Sequence, residues 1–209
     1  MARLTRKESQ AKTRSQLLEA AGRVFARRGM QRATVDEVAG EAGYTKGAFY
    51  ANFSSKEDLF LAMLDERFAQ RLDEIDRVLD SGATVSEQAR QAGRDFTEHI
   101  AADPEWSRLF FEFAVQALRD EGFRQELVRR HRTLRERIAD GLRSHVDTLG
   151  GAMPVEAEDV ARMTYAMADG FALARLLEGE DVPEDLFATM LAVFFTGLAA
   201  MARDSVAQP

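Results

Sequence analysis

Signals that begin and end helices recur along the whole chain, and they constrain the fold more than any other feature. Thr34 with Glu37, and Thr84 with Glu87, have the spacing of capping boxes, in which each residue satisfies a free backbone N–H of the other. Gly29 is a typical helix stop after a stretch of helical periodicity. No segment alternates apolar and polar residues as a half-buried strand does. We therefore predict an all-α protein of about nine helices.

Apolar residues spaced three or four apart place several of these helices along the chain. We predict one helix from about Ser9 to Arg28, one from about Ser55 to Leu79, and a long one that ends near Leu149. Pro154 and Pro183 would open the last two helices, because proline is tolerated at a first helical position.

Charge is distributed unevenly between the two ends. Residues 1–56 contain 11 lysines and arginines against 5 aspartates and glutamates, a net charge of +6. Residues 57–209 contain 17 against 30, a net charge of −13. As a whole the acidic chain would repel a polyanion, but its basic N-terminal quarter can attract one. We predict a basic arm at residues 1–10, a nucleic-acid-binding region behind it, and a separate role for the acidic body.

Two short predicted helices in the basic quarter form a helix-turn-helix. The first follows Thr34, Gly43 supplies the tight turn that other residues resist, and Thr45 caps the second. A short helix with small and polar side chains can lie along base edges in a major groove about 12 Å wide. The pattern predicts binding to double-stranded DNA.

Residues 34–59 resemble the signature of the TetR family of transcriptional regulators. In chain order the matching elements are Thr34, Val38-Ala39, Ala42-Gly43, Thr45-x-Gly47, Phe49-Tyr50, Asn52-Phe53 and Lys56-Glu57-x-Leu59. The resemblance implies a DNA-binding domain at residues 11–71, with the helix-turn-helix at about 34–53. It also implies a ligand-binding and dimerisation domain at residues 72–209.

The resemblance further implies roles for individual residues. The DNA-binding set consists of Thr34, Thr45, Lys46, Gly47, Ala48, Tyr50, Asn52 and Lys56. Within it, Thr34, Tyr50 and Lys56 would contact phosphates, and residues 45–48 would face the groove. Each has a structural alternative: Thr34 can be a helix cap alone, Tyr50 can belong to the core, and Lys56 can be a solvated charge.

The last two predicted helices are apolar on more than one face. A helix needs one apolar face to pack on its own domain, so the second face needs a cover. A symmetric partner is the simplest cover, and we predict a homodimer through about residues 154–202, which agrees with how the resembled family dimerises. Two symmetric reading helices then predict a palindromic operator.

Aromatic residues and methionines in the body are candidates for a ligand pocket, although plain core packing is the alternative. These residues are Trp106, Phe110, Phe113, Met163, Met167 and Phe171, with His99, His131, Asp169 and Arg175 as candidate polar groups. Such a lining predicts a small apolar or aromatic organic ligand. Its binding would release a repressor from DNA.

Other classes of function find little support in the sequence. The chain has no cysteine, no two of its three histidines are spaced four apart, and it lacks the GxSxG, P-loop and GxGxxG patterns, so we predict no metal, no cofactor and no enzyme. A helical enzyme and an interaction module that does not bind DNA stay as alternatives. Residues 186–202 carry no charge, but these 17 residues fall short of a membrane span of about 20, so we expect a buried helix and a cytoplasmic protein.

Overall fold

The computed structural model describes residues 5–145 and 153–206. Within these residues it contains nine α-helices and no strand, which confirms the predicted fold class. The helices are α1 Arg6–Arg28, α2 Val35–Glu41, α3 Lys46–Tyr50, α4 Lys56–Leu79, α5 Val85–Ala102, α6 Pro104–Ala117, α7 Glu121–Ser144, α8 Ala157–Glu178 and α9 Leu186–Val206. A short 3₁₀ turn at Gly179–Asp181, which the sequence does not predict, follows α8.

Helix α1 begins at Arg6, earlier than the predicted start near Ser9. The cause is a third capping box: the Glu8 N–H donates to Thr5 Oγ1 at 3.2 Å, and the Thr5 N–H donates to Glu8 Oε2 at 2.7 Å. The described part of the expected basic arm is therefore helical. Helices α8 and α9 each begin three residues after the expected proline. The predicted end of α7 near Leu149 lies outside the described residues.

The chain divides into two compact units. Unit 1 comprises residues 5–67 and 108–128, and unit 2 comprises residues 68–107 and 129–206. Unit 1 thus joins α1, α2 and α3 to most of α6. The functional boundary expected at residue 71 stays a prediction, because a packing unit need not coincide with a functional domain.

Aromatic side chains dominate the core of unit 1. Phe49 of α3 is completely buried and contacts the ring of Phe53. Phe60 of α4 stacks on Phe113 of α6, and both rings are fully buried. Each buried aromatic side chain removes a large apolar area from water, and this burial joins α6 to the N-terminal helices.

Close contact between α5 and α9 organises unit 2. A Cβ on Gly93 would lie 2.4 Å from the Ala188 Cα, so only glycine permits this approach. Beside it, Phe187 packs against Phe96 and Phe171 with ring centroids 4.9 and 5.1 Å apart. The core of unit 2 is therefore built mainly from α5, α8 and α9.

Candidate nucleic-acid interface

The turn between α2 and α3 is a Schellman motif. The Tyr44 N–H donates to the Ala39 carbonyl at 2.8 Å, and the Gly43 N–H donates to the Gly40 carbonyl at 3.0 Å. Gly43 has φ 75°, a conformation that strains residues with a Cβ, as the sequence predicts. The Tyr44 hydroxyl also donates to Gln16 Oε1 of α1 at 2.6 Å. These bonds fix the direction of α3 relative to α1 and α2.

Two threonines cap the helices of the motif. Thr34 Oγ1 accepts a hydrogen bond from the Glu37 N–H at 3.2 Å and donates to the Glu37 carboxylate at 3.1 Å. Thr45 Oγ1 accepts one from the Ala48 N–H at 3.2 Å. The bonds from Thr34 lower the pKa of Glu37, the backbone N–H having the largest effect. The capping role of Thr34 is confirmed, and its phosphate contact stays a prediction.

Helix α3 buries one face and exposes the other. Phe49 points into the core, while Thr45, Lys46, Gly47 and Tyr50 are exposed and form what we call the reading surface. The other members of the predicted DNA-binding set on or after α3 are less open, because Ala48, Asn52 and Lys56 are half-buried.

Lys46 forms an ion pair that the sequence does not predict. Its Nζ lies 2.9 Å from Asp36 Oδ2, at the start of α2, and both side chains are more than half exposed. The hydrogen bond to Asp36, and then the charge of Asp36, raise the pKa of Lys46. An acidic residue therefore lies beside the main cation of the reading surface.

Lys56 has a structural role that the sequence does not reveal. Its ammonium group donates to the backbone carbonyls of Met30 at 2.9 Å, Gln31 at 3.2 Å and Ala33 at 3.2 Å. An ammonium has three N–H donors, so these bonds engage all of them. From α6, Glu112 Oε2 accepts a hydrogen bond from the Met30 N–H at 3.3 Å. The loop before α2 is thus held by both α4 and α6.

Asn52 and Arg14 support the end of α3. Asn52 Nδ2 donates to the Ala48 carbonyl at 2.8 Å, while its Oδ1 is buried without a partner among the described residues. The Arg14 guanidinium donates to the Asn52 carbonyl at 3.2 Å and lies 4.3 Å from the centre of the Phe53 ring. From the sequence Arg14 is only part of a basic segment. Its position one turn before the buried Leu17 is the signal that could have identified this contact.

The remaining acidic residues of α2 pair with α1. Glu37 lies 3.1 Å from Arg28, and Glu41 accepts bonds from Arg23 at 2.9 Å and Arg27 at 2.6 Å. Three arginines of the basic quarter are therefore occupied in holding α2 against α1.

The six candidate pocket residues fall in different units. Phe110 and Phe113 belong to unit 1, whereas the other four belong to unit 2. Phe113 and Phe171 are buried core residues, and Met163 is 40% exposed. A cavity of about 330 Å³ in unit 2 is lined by none of the six but by Arg143, Met153, Val155, Glu156 and Ala157. The ligand pocket stays a prediction.

Unit 2 holds a cluster of perturbed polar groups. The Tyr165 hydroxyl lies 3.3 Å from His131 Nε2, and the Phe68 ring packs on His131. Burial, followed by the charge of Arg135, lowers the pKa of His131 to about 4. Burial raises the pKa of Asp169 to about 6, and burial followed by the charge of Asp169 raises that of Tyr165. Groups perturbed in this way are enriched at binding sites.

The other predicted polar residues have separate positions in unit 2. His99 Nδ1 lies 3.9 Å from Glu74, which also accepts a hydrogen bond from the half-buried Arg71 at 2.9 Å. Arg175 donates to the Val182 carbonyl at 2.6 Å. Among the described residues, no group of three histidines or carboxylates is arranged to hold a metal ion.

Comparisons with known proteins agree with this arrangement. A family model described as bacterial regulatory proteins of the tetR family matches residues 17–63. A second model, described as the C-terminal part of BetI-type transcriptional repressors, matches residues 85–200, more than half of the chain.

Individual proteins match along different lengths. The uncharacterised HTH-type transcriptional regulator YfiR of Bacillus subtilis is 29% identical over 171 residues, covering 78% of this chain and 80% of YfiR. The HTH-type transcriptional activator FasR of Mycolicibacterium smegmatis is 36% identical over 99 residues, covering 47% of this chain and 45% of FasR. The solved structure of FadR from Bacillus subtilis with stearoyl-CoA has a TM-score of 0.69 at 17% identity, covering 87% of this chain and 96% of FadR. At that identity the likeness concerns the fold.

Proposed function

The chain belongs to the TetR family of bacterial regulatory proteins and is a DNA-binding transcriptional regulator, and from this premise we propose that it is a dimeric repressor released from a palindromic operator by a small organic ligand. One observation carries the proposal: the helix-turn-helix exposes its reading surface, and the motif lies within residues 17–63, which the first family model matches. The repressor assignment is supported by the second family model. We assign no catalytic reaction to the chain.

The reading surface is the part that we propose enters the major groove. Lys46 supplies a donor for phosphate or guanine, and the Tyr50 hydroxyl, on a side chain that is 51% exposed, supplies one for phosphate. Thr34 would add a phosphate contact beside its cap. Lys56 and Asn52 would act mainly by positioning, because their bonds to backbone carbonyls already hold the loop before α2 and the end of α3.

A second copy of the chain is the proposed cover for α8 and α9. Both helices expose large apolar side chains, which are Met163, Leu173 and Leu177 on α8 and Leu186, Val193 and Met201 on α9. Within α8, the exposed residues 163, 166, 170, 173 and 177 alternate spacings of three and four, the pattern of a helix-packing seam. The homodimer predicted through residues 154–202 would bury these faces.

A membrane is the other environment that α9 could suit by composition. Among the described residues, Leu186–Arg203 is long and apolar enough to cross one. However, α9 also packs closely on α5 at Gly93, as the core helix of a water-exposed unit does. We propose the dimer and a cytoplasmic location.

The ligand is proposed to bind in unit 2. The aromatic rings packed around Phe187 give this unit apolar side chains. His131 and Asp169, whose pKa values are shifted by burial, add polar groups. Ligand sites combine both kinds of side chain. An apolar or aromatic molecule with a polar end fits that chemistry. Because the structure of one fold neighbour contains stearoyl-CoA, a screen should also include molecules with a long apolar chain and a charged end.

Gel shift with DNA flanking the chain's own gene tests the proposal directly. We expect one shifted species on a duplex containing an inverted repeat with half-sites about 34–36 Å apart, or a multiple of this distance. Lys46→Ala and Tyr50→Phe should weaken it, whereas Arg132→Ala, at an exposed cationic site on α7, should not. A compound that raises thermal stability should dissociate the complex. Binding to a single half-site with full affinity would contradict the dimeric mode.

A further inference from the structure

We propose that Asp36 specifies part of the operator sequence, because together with Lys46 it reads one G·C base pair in each half-site. This inference rests on the proposed function, since it requires that α3 enters the major groove. It adds a residue outside the predicted DNA-binding set, and it assigns that residue a base-reading role.

Asp36 differs from the other acidic residues of α2 in what it contacts. Glu37 closes the capping box with Thr34, and Glu41 binds two arginines of α1, so both stabilise the packing of α2. Asp36 instead contacts the reading surface, with its Oδ2 2.9 Å from Lys46 Nζ. Its side chain is 65% exposed and that of Lys46 is 53% exposed. A carboxylate in the first turn of α2 is favoured by the helix dipole, but that does not require contact with Lys46, and an exposed pair of this kind contributes little to stability.

The reading surface contains few other groups that can distinguish bases. Gly47 has no side chain, the half-buried Ala48 beside it carries only a methyl group, and the Tyr50 hydroxyl is the proposed phosphate donor. The Thr45 hydroxyl accepts the capping hydrogen bond from the Ala48 N–H, which leaves its O–H as one neutral donor. Near the start of α3, Lys46 is the charged donor, and the carboxylate beside it is an acceptor that bases can meet.

The chemistry of the pair fits a G·C base pair. In the major groove guanine presents two adjacent acceptors, N7 and O6, and the N4 amino group of cytosine is a donor beside them. The Lys46 ammonium can donate to guanine while the Asp36 carboxylate accepts from cytosine N4. An A·T pair separates its two acceptors by the adenine amino group, so it offers the ammonium no adjacent pair.

The carboxylate also disfavours other sequences. A negative charge close to DNA phosphates weakens binding unless a base donor compensates for it. Cytosine N4 provides that donor at the correct site, and most other sequences leave Asp36 uncompensated. Asp36 would therefore lower affinity for random DNA more than affinity for the operator, which increases specificity.

Selection from a library of random duplexes, using the purified full-length chain and its variants at one salt concentration, tests the inference. For wild type we expect a palindromic motif with a strong G·C preference at one position in each half-site. For Asp36→Asn we expect that preference to be lost, with the ratio of operator to random affinity falling about tenfold per half-site. Binding of Asp36→Asn to random duplex should tighten severalfold and not weaken. Lys46→Ala should lose the same position.

Glu41→Gln is the matched control, because it removes one negative charge from the same helix without touching α3. Glu41→Gln should keep the wild-type motif, whatever its effect on overall affinity. The inference is overturned if Asp36→Asn selects the wild-type motif with an unchanged affinity ratio, or if Glu41→Gln loses the same position. If wild type selects no motif at all, the proposed function itself fails, and this result is distinct from failure of the inference.

Discussion

The two units use their polar and apolar side chains in different ways. In unit 1 nearly every polar side chain around the helix-turn-helix has a partner: the threonines cap helices, the glutamates of α2 bind α1, and Lys56 binds three carbonyls. In unit 2 the pKa values of Asp169 and His131 are strongly shifted by burial, and α8 and α9 expose large apolar side chains. The polar side chains of unit 1 are thus largely paired within the unit. Unit 2 exposes apolar side chains and buries ionisable groups, features that a second copy and a ligand would stabilise.

This difference is what a regulator requires. A DNA-reading surface gains specificity when its side chains are fixed before binding, because less conformational entropy is then lost on association. A ligand-binding and dimerising unit must keep surface available for its partners, and a ligand acts only through its different affinity for two states. The four predictions below test this contrast.

The largest effect is expected from Phe113→Ala in the core of unit 1. Phe113 is fully buried and stacked on Phe60, so truncation leaves a cavity and should lower the free energy of unfolding by about 3–5 kcal/mol. Denaturant unfolding measures this change. Phe110→Ala, at a half-buried site on the same helix, is the control and should cost clearly less. A cost below about 1 kcal/mol for Phe113→Ala would argue against a packed core here and in favour of the pocket prediction.

Val193→Glu tests whether the exposed face of α9 is a dimer interface. Val193 is 69% exposed in the single chain, so the fold should persist while a buried charge prevents association. Light scattering should show a monomer. Operator affinity should fall by roughly 100-fold or more, because the reading surfaces of two copies are no longer held in one molecule. Leu118→Glu, at a 78% exposed site of unit 1, should leave the dimer intact. A dimeric Val193→Glu protein would refute this interface.

Lys56→Met separates positioning from phosphate contact. The substitution leaves the three carbonyls of the loop before α2 without their donor, and we expect a loss of about 1–3 kcal/mol of unfolding free energy. If positioning is the main role, DNA affinity falls while the dependence of log K on log salt keeps its slope. If Lys56 contacts a phosphate, the slope falls by about 0.9 per subunit. Lys12→Met, which removes an exposed charge of α1, controls for net charge.

The smallest effect is expected from Asp169→Asn and depends on pH. Because burial raises the pKa of Asp169 from 3.8 to about 6 in the folded chain, the folded state binds this proton more tightly than the unfolded state does. Stability from this group is therefore complete below pH 4 and is lost as the pH rises through 6.

Raising this pKa from 3.8 to about 6 corresponds to at most about 3 kcal/mol, and solvent at the half-buried Asp169 reduces this. The asparagine variant should therefore be more stable than wild type by about 1 kcal/mol at pH 7.5 and nearly equally stable at about pH 3.5. Thermal unfolding across this pH range measures the difference. His131, whose pKa is lowered, destabilises both proteins as the pH falls from 6.5 towards 4, so its contribution cancels in the comparison. An equal difference at both pH values would mean that Asp169 titrates as an exposed carboxylate.

Local signals in the sequence were sufficient for the helices and for the helix-turn-helix. The capping boxes of Thr34 and Thr84, the turn at Gly43 and the inward position of Phe49 depend on residues within about one turn of each other, so their spacing predicts them. The start of α1 is an instructive exception. Thr5 and Glu8 have the same capping spacing, but the basic composition of the segment favoured an arm.

Only the tertiary structure decided which polar groups around the reading surface have partners. Lys56 bonds to Met30 across 26 residues of sequence, Met30 bonds to Glu112 across 82, and Lys46 pairs with Asp36 across a turn. Periodicity and motif spacing carry no information about such pairs, because they form when separate helices pack and bring distant side chains within a few ångströms. By itself the sequence determined the helices, the reading motif and the family. Packing determined that Lys56 supports a loop, that Phe113 belongs to the core of unit 1, and that a carboxylate accompanies Lys46.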